Sequence, residues 1–263
     1  MNNRKPITLE ERKSIQLEML KEIDAFCRTN NIKYSLAFGT LLGAIRHKGF
    51  IPWDDDVDIM MPLPDMYRFK ELFHSETMKY CDIDTDKNFE FGFSRIANTK
   101  TYNKRGIIAK SYGICIDLYP IVSIPKSIEE RDIFFQKAQI LYELRLWYLK
   151  WNQRAVRVLP IKVIPGLHRA VKAYRDYLLD IDLYGTTEEF YIVAGSLNLR
   201  DKMSYNFDMF AEIINVEFEG HIFCSIANYD RFLTLRYGDY MQLPPEDQRH
   251  PYHGGHYFWR KDK

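Results

Sequence analysis

The sequence predicts an α/β fold in its first part and a mostly helical region after it. Up to about residue 122, short apolar or alternating segments typical of strands take turns with amphipathic helical segments. Around 120–125 the pattern changes to long helical stretches, without repeats or low-complexity tracts. We therefore predict a core unit over 1–122 and a mostly helical region over 123–263. The second region ends in a hairpin and tail, and we expect the two to form one compact unit.

The composition is that of a globular protein without bulk affinity for nucleic acid. The chain has 263 residues, 46% of them hydrophobic, and its formal net charge is +1. A chain of this length and apolar content can bury a large core. Its near-neutral charge gives no general attraction to a polyanion, so we expect no nucleic-acid partner.

Several features of the sequence favour the cytoplasm. The first residues are polar and lack a signal-peptide core, and the apolar runs are too short to span a bilayer. The cysteines show no zinc-site spacing, and most lie in apolar contexts typical of reduced thiols; they are Cys27, Cys81, Cys115 and Cys224. We therefore predict a cytoplasmic protein that contacts the inner face of a membrane at most peripherally.

The first predicted helix begins at the capping box Thr8-Leu9-Glu10-Glu11 and ends at Asn30-Asn31. Its apolar residues recur at helical spacing, which gives the helix one face directed at the core. The alternating segment 34–38 then predicts a strand, and 41–47 predicts a short helix. The chain therefore enters the core unit as helix, strand and helix.

The Gly39-Thr40 turn between that strand and that helix is a candidate phosphate site. A glycine and a hydroxyl at a helix N-terminus expose backbone N–H groups to an anion. The alternative is an ordinary turn with threonine as the helix N-cap. Arg46, His47 and Lys48 follow as a basic cluster that could neutralise phosphate, or could simply be a cationic helix C-terminus.

Acidic residues are concentrated in the run Asp54-Asp55-Asp56-Val57-Asp58, which leads into a strand predicted over 56–61. Residues i and i+2 of a strand share a face, so Asp56 and Asp58 should point the same way. Two hard oxygen ligands at this spacing suit Mg²⁺ or Mn²⁺ bridged to a phosphate. The alternative is an acidic surface turn that only aids solubility.

A later strand carries a third acidic candidate. After a helix over 65–76 and an alternating strand over 89–96, the apolar segment 114–119 contains Asp117 at its centre. A buried carboxylate is costly unless a metal or a cation compensates it. Asp117 could therefore stand beside Asp56 and Asp58 on an adjacent strand, or it could pair with an arginine or lysine elsewhere.

The second region opens with another capping box, Ser127-Ile128-Glu129-Glu130, and a helix predicted to reach about Lys150. Further helices are predicted over 161–180, 187–196 and 226–236, with a hairpin around Gly220. The stretch 145–175 interleaves basic and aromatic side chains, which suits either an anionic membrane surface or a packed helix with a solvated basic face. In the tail, His250, His253 and His256 could bind a metal, although the proline and glycines among them argue against it.

Three of these motifs, in this order, resemble the nucleotidyltransferase superfamily: Gly39-Thr40 after a strand, Asp56-Val57-Asp58 on the next, and Asp117 on a later one. The whole string from Gly39 to Asp58 resembles the LicD family of bacterial phosphocholine transferases, which are related to fukutin-type enzymes. The segment Arg236–Pro245 resembles the family's closing motif. The resemblance spans almost the whole chain and is strongest over 34–61.

The resemblance implies a nucleotidyltransferase-like mixed sheet whose active site the C-terminal region completes. It implies a metal-dependent transferase in which Mg²⁺ or Mn²⁺ is bound by the catalytic residues Asp56, Asp58 and Asp117. The donor would be CDP-choline, with a nucleoside monophosphate as the leaving group. The positions expected to bind the donor are Gly39, Thr40, Arg46, His47 and Trp53. Trp53 is included because an aromatic face can hold the quaternary ammonium, although it could equally be a core tryptophan.

The acceptor implied by the resemblance is a sugar hydroxyl of a lipid-linked glycan, a precursor of teichoic acid or lipopolysaccharide. Two alternatives remain enzymatic: ordinary nucleotidyl transfer, and transfer of another phospho-alcohol such as ribitol or glycerol phosphate. A third alternative is a catalytically silent nucleotide- or glycan-binding module. The complete set of Asp56, Asp58 and Asp117 argues against that third alternative.

Overall fold

The computed structural model describes residues 5–86, 89–103, 112–158, 166–179, 190–193, 203–251 and 256–260, with the backbone alone for 152–158. Its helices are α1 (Leu9–Thr29), α2 (Phe38–His47), α3 (Leu63–Leu72), α4 (Ile128–Val158), α5 (Leu167–Leu178) and α6 (Tyr229–Tyr237). Its strands are β1 (Ser35–Leu36), β2 (Asp58–Pro62), β3 (Met78–Cys81), β4 (Ser94–Asn98), β5 (Thr101–Asn103), β6 (Cys115–Ser123), β7 (Phe190–Ile192), β8 (Ser204–Tyr205), β9 (Ile213–Phe218), β10 (His221–Ile226) and β11 (Tyr257–Trp259).

A mixed sheet forms the centre of the protein, which confirms the predicted α/β class. Its strands follow the order β1-β2-β6-β4-β3, and β7 pairs with both β6 and β8. Strands β2 and β6 run parallel, whereas the neighbouring pairs around them run antiparallel. Since β7 belongs to the second region and β6 to the first, both regions contribute to one sheet.

Helix α1 begins as the capping box predicts and packs against α3. The Thr8 hydroxyl accepts a hydrogen bond of 3.1 Å from the Glu11 N–H, and the Glu11 carboxylate accepts one of 2.7 Å from the Thr8 N–H. On the apolar face, the ring of Phe26 meets those of Phe69 and Phe73 edge to face, at 5.4 and 5.1 Å. These ring contacts pack α1 against α3 on one side of the core.

The hairpin predicted around Gly220 is present, with β9 and β10 paired antiparallel on either side of the turn. Glu219 and Gly220 both have positive φ, +51° and +71°, as a tight two-residue hairpin turn requires. The turn also contacts the segment just after α2, because the Glu219 carboxylate accepts a hydrogen bond of 2.9 Å from the Phe50 N–H.

Several predictions of local structure differ from the structure. The strand predicted over 56–61 begins only at Asp58, so Asp56 precedes it, and the strand predicted over 89–96 begins only at Ser94. Residues 190–192, predicted as part of a helix, form the strand β7, because Phe, Tyr and Ile suit a strand and β6 offers a partner edge at Ile121–Ser123. Helix α2 begins at Phe38, so Gly39 and Thr40 lie in its first turn and not in a loop before it. Most of the helix predicted over 161–180 is α5, while 161–165 lie outside the described residues.

Within the described ranges, none of the helices combines the length and the apolar character that crossing a bilayer would need.

Candidate active site

Asp58 and Asp117 are brought side by side by the two parallel strands. Asp58 opens β2, Asp117 lies near the start of β6, and the two are register partners. Both are largely buried, with 7% and 9% of their surface exposed. The prediction that Asp117 stands next to Asp58 on an adjacent strand is therefore confirmed, and the pair concentrates negative charge inside the protein.

The acidic residues before β2 form a second group of carboxylates. In the described part of the chain, Asp54, Asp55 and Asp56 are the three acidic residues with ligand oxygens all within 4.8 Å of one another. Burial, followed by the charge of Asp56, raises the pKa of Asp54 to about 7. Carboxylate oxygens at this density are the donor set that Mg²⁺ and Mn²⁺ prefer, so the residues fit such an ion.

Asp55 belongs to this group and also has a buried partner on α1. Its Oδ2 lies 2.9 Å from Nη1 of Arg12 on α1, and both side chains are almost inaccessible. The Arg12 guanidinium also lies 4.5 Å from the centroid of the Tyr257 ring on β11. Arg12 thus links the acidic loop to α1 and to the C-terminal tail, although no motif in the sequence suggested it.

The first turn of α2 lies directly against the acidic loop. A Cβ on Gly39 would stand 2.5 Å from Oδ2 of Asp54, which explains why glycine is needed there. The Thr40 hydroxyl accepts a hydrogen bond of 2.9 Å from the Asp58 N–H. Phe38 has a φ of +43°, an uncommon conformation for a bulky residue. Gly39 and Thr40 therefore fix the acidic residues in place, and their contact with donor phosphate stays a prediction.

Replacing Gly39 by alanine should displace the Asp54 carboxylate, because the new methyl group would overlap it. We expect a loss of transferase activity of about tenfold or more, since small displacements in an active site are costly. Stability should fall little, because alanine favours a helix more than glycine does. Turnover and thermal melting of the variant test this expectation, and full activity with an unmoved Asp54 would contradict it.

Arg95 on β4 holds Asp117 and was not identified from the sequence. Its Nη2 donates a hydrogen bond of 2.9 Å to Oδ2 of Asp117, while its Nε lies 2.7 Å from Oδ1. The guanidinium also stacks over the Phe91 ring at 3.9 Å. Asp117 therefore pairs with an arginine and also lies beside Asp58, so both of the arrangements predicted for it are present. Arg95 could have been found from the sequence, because it is an arginine inside an alternating apolar segment predicted to be a strand.

Two tyrosines share the environment of the acidic residues and were also missed. Burial, and then the charges of Asp58, Asp117 and Asp56, raise the pKa of Tyr119 well above its usual value. Desolvation of the phenol, together with Asp58 and Asp54 and against the opposing charge of Arg236, also raises the pKa of Tyr237, although 41% of this residue is exposed. Both phenols therefore stay protonated and can donate hydrogen bonds. Tyr119 could have been found, because it lies two residues after Asp117 on the same strand.

Arg46 contacts the C-terminal segment that follows α6. Its Nη1 donates hydrogen bonds to the carbonyl oxygens of Tyr240 and Gln242, at 2.7 and 3.2 Å, and its Nε donates to Nε2 of His47 at 3.0 Å. Burial lowers the pKa of Arg46. These contacts join α2 to the closing motif, so Arg46 has a structural role whether or not it also binds a phosphate.

Replacing Arg46 by alanine should lower the melting temperature, because two backbone carbonyls lose a charged donor, each bond being worth roughly 1.5–3 kcal/mol. His47→Ala leaves those bonds in place and serves as the matched control. Calorimetric titration with a cytidine nucleotide separates the roles. A donor affinity that falls in both variants supports phosphate binding by this pair. A lower melting temperature with unchanged affinity assigns Arg46 to structure alone.

Trp53 lies at the edge of the site, where it could meet a cation. Its ring is 6.4 Å from that of His47, and the Arg249 guanidinium lies 5.7 Å from its centroid. Its contact with choline stays a prediction. Of the tail histidines, His250 and His256 belong to no group of three possible metal ligands among the described residues, and His253 lies outside them.

Known proteins that resemble this chain include a protein family and a relative that aligns over most of its length. The family model for the LicD/FKTN/FKRP nucleotidyltransferase domain matches residues 31–176, more than half of the chain, and this span includes every predicted site residue. The chain is 29% identical to the lipopolysaccharide cholinephosphotransferase LicD of Haemophilus influenzae over 261 residues, 95% of this chain and 97% of the relative.

Two shorter matches are to uncharacterized rickettsial proteins. One, from Rickettsia typhi, is 42% identical over 24% of this chain and 21% of its own length. The other, from Rickettsia prowazekii, is 45% identical over 26% of each chain. The family match, with its coverage of the acidic loop, β2 and β6, shows that this chain belongs to the LicD/FKTN/FKRP nucleotidyltransferase domain family.

Proposed function

We propose that the protein is a transferase that moves phosphocholine from CDP-choline to a sugar hydroxyl of a cell-surface glycan precursor. The observation that carries the proposal is the juxtaposition of Asp58 and Asp117 beside Asp54–Asp56 in a chain that aligns along nearly its whole length with a lipopolysaccharide cholinephosphotransferase. The glycan would be a precursor of lipopolysaccharide, as the name of that relative suggests, or of teichoic acid.

In the proposed reaction the acceptor oxygen attacks the phosphorus that carries choline. The bond from that phosphorus to the bridging oxygen breaks, cytidine monophosphate leaves with the bond's electrons, and the hydroxyl proton passes to a base. Mg²⁺ or Mn²⁺ held by Asp56, Asp58 and Asp117 would offset the negative charge of the pyrophosphate and of the leaving nucleotide. As the alternative to holding the ion, Asp117 would take the hydroxyl proton, since it is the carboxylate next to Asp58 on the neighbouring strand.

The residues around this acidic group have separate tasks in the proposal. Arg95 holds both oxygens of Asp117, so the carboxylate keeps one orientation. Tyr119 and Tyr237, kept protonated by burial and neighbouring charge, can donate hydrogen bonds to phosphate oxygens. Trp53 would offer its aromatic ring to the quaternary ammonium, which would take the place of the Arg249 guanidinium that now lies 5.7 Å from the ring centroid.

We propose the cytoplasmic side of the membrane as the place of the reaction, with the acceptor presented by a lipid carrier. The four cysteines take part in no disulfide, which is compatible with a reducing compartment.

The leaving group identifies the reaction. We would incubate the purified chain and Mg²⁺ with CDP-choline, CDP-ribitol, CDP-glycerol or CTP, together with a glycan acceptor, and identify the nucleotide released. Phosphocholine transfer releases cytidine monophosphate from CDP-choline, whereas nucleotidyl transfer from CTP releases pyrophosphate. If cytidine monophosphate is released from CDP-ribitol or CDP-glycerol in preference to CDP-choline, the transferred group is ribitol phosphate or glycerol phosphate. No release from any donor would favour a binding module.

A further inference from the structure

The outward face of α4 carries an apolar stripe. Its residues follow one another at steps of seven, four, three and four, which places them on one side of a helix. All are large and about half exposed: Ile133 52%, Ile140 67%, Leu144 43%, Trp147 51% and Trp151 46%. The two indoles are neighbours, with ring centroids 5.8 Å apart. Scattered exposed apolar residues are ordinary, but a continuous stripe usually marks a contact surface.

The stripe is not the packing face of α4. The other side of the helix already supplies the core, where Phe134 stacks on Tyr177 of α5 and Phe135 meets Tyr191 of β7. Arg145 is buried on that side too, and its guanidinium donates two hydrogen bonds to the Glu90 carbonyl oxygen. Two faces of one helix are therefore apolar, and only one of them has its partner within the described structure.

The sequence is basic around the tryptophan end of the stripe. From Leu144 to Arg169 the sequence has six lysines and arginines and no acidic residue, in a chain whose net charge is only +1. Lys172 and Arg175 follow on α5, whose Tyr174 and Tyr177 contact residues nearer the start of α4. Arg145, Lys172 and Arg175 contact groups inside the protein. Lys150 and Arg169 are exposed. The acidic residues of α4 all precede Leu144, so the apolar end that bears both indoles is also the basic end.

We propose that the C-terminal half of this stripe, Leu144, Trp147 and Trp151, docks on an anionic membrane surface. Tryptophan suits the interface between lipid and water, and the adjoining basic residues suit acidic headgroups. A second copy of the chain is a poorer occupant, because a symmetric contact would place the same basic stretch against itself. The inference rests on the proposed function, in which the acceptor is lipid-borne.

The test is co-sedimentation with phosphatidylcholine vesicles prepared with or without phosphatidylglycerol, at low and at high salt. The wild type should bind the anionic vesicles at low salt and lose binding as salt screens the charges. Trp147→Ser/Trp151→Ser should bind about tenfold more weakly or worse, because the variant lacks the two indoles that would enter the lipid interface. Leu72→Ser/Ile222→Ser, which changes two similarly exposed apolar residues elsewhere, is the matched control and should bind as the wild type does.

Equal vesicle binding by the tryptophan variant and the wild type, or no vesicle binding by the wild type, would overturn the proposal. Light scattering and nucleotide release are two further measurements. Light scattering that shows a dimer lost only in the tryptophan variant would overturn it in favour of a second copy. Cytidine monophosphate release with a water-soluble sugar acceptor should be unchanged in the tryptophan variant. Failure of that release in the wild type rejects the proposed function while leaving the vesicle result to stand separately.

Discussion

Replacing Asp58 by asparagine should reduce phosphocholine transfer at least about a hundredfold, which corresponds to about 2.7 kcal/mol of lost stabilisation. The substitution removes a negative charge from a largely buried position beside Asp117 but keeps the shape of the side chain. The hydrogen bond from the residue 58 N–H to the Thr40 hydroxyl uses the backbone, so it should survive. We therefore expect a folded protein with a severely impaired reaction.

The measurement is steady-state release of cytidine monophosphate, with thermal melting as the check on folding. Glu18→Gln is the matched control, because it removes an exposed carboxylate whose partner is a surface lysine. Near-normal turnover by Asp58→Asn would remove this residue from the catalytic group. Asp56→Asn and Asp117→Asn should lose comparable activity. Asp117→Asn should also lose stability, because Arg95 would keep a partly buried charge without its carboxylate partner.

Replacing Arg12 by methionine should destabilise the protein by about 3–5 kcal/mol. The change leaves the Asp55 carboxylate, 1% exposed, without the guanidinium that lies 2.9 Å from it. At about 2–4 °C per kcal/mol for a chain of this size, the melting temperature should fall by roughly 10 °C. The acidic loop should loosen at the same time, since Arg12 connects it to α1.

A double variant distinguishes the cost of leaving one buried charge unpaired from the net contribution of the ion pair to stability. Arg12→Met/Asp55→Asn removes both charges, and buried ion pairs replaced in this way often cost little. We expect urea unfolding to show that the double variant recovers most of the stability that Arg12→Met loses. If Arg12→Met alone unfolds at the same urea concentration as the wild type, the buried Asp55 carboxylate does not need Arg12 for stability.

The two acidic residues that lie on strands, Asp58 and Asp117, could be predicted from the sequence, whereas Asp56 precedes β2 and does not share a strand face with Asp58. Asp56, Asp58 and Asp117 were identified because carboxylates next to apolar strands are costly without a compensating charge. The register between β2 and β6 then confirms that Asp58 and Asp117 are neighbours. The choice among Asp54, Asp56, Asp58 and Asp117 as metal ligands stays a prediction, because the closest carboxylate group in the described residues is Asp54–Asp56.

The partners of these residues could not be predicted, because they come from distant parts of the chain. Arg12 reaches Asp55 across 43 positions, and Arg46 reaches the Tyr240 carbonyl across 194. Arg95 meets Asp117 through the antiparallel register of β4 and β6, which no local pattern encodes. The strand β7 was mistaken for a helix because its partner edge lies on β6, far away in sequence.

We propose above that the acidic group around Asp58 transfers phosphocholine from CDP-choline. The most direct measurement is a phosphorus NMR time course of CDP-choline with Mg²⁺ and a glycan acceptor, run with the wild type and with Asp58→Asn. For the wild type we expect the pyrophosphate signals to give way to equal amounts of cytidine monophosphate and a new phosphodiester, and for the variant we expect them to persist. Unchanged pyrophosphate signals with the wild type, or equal rates for the two proteins, would contradict the claim.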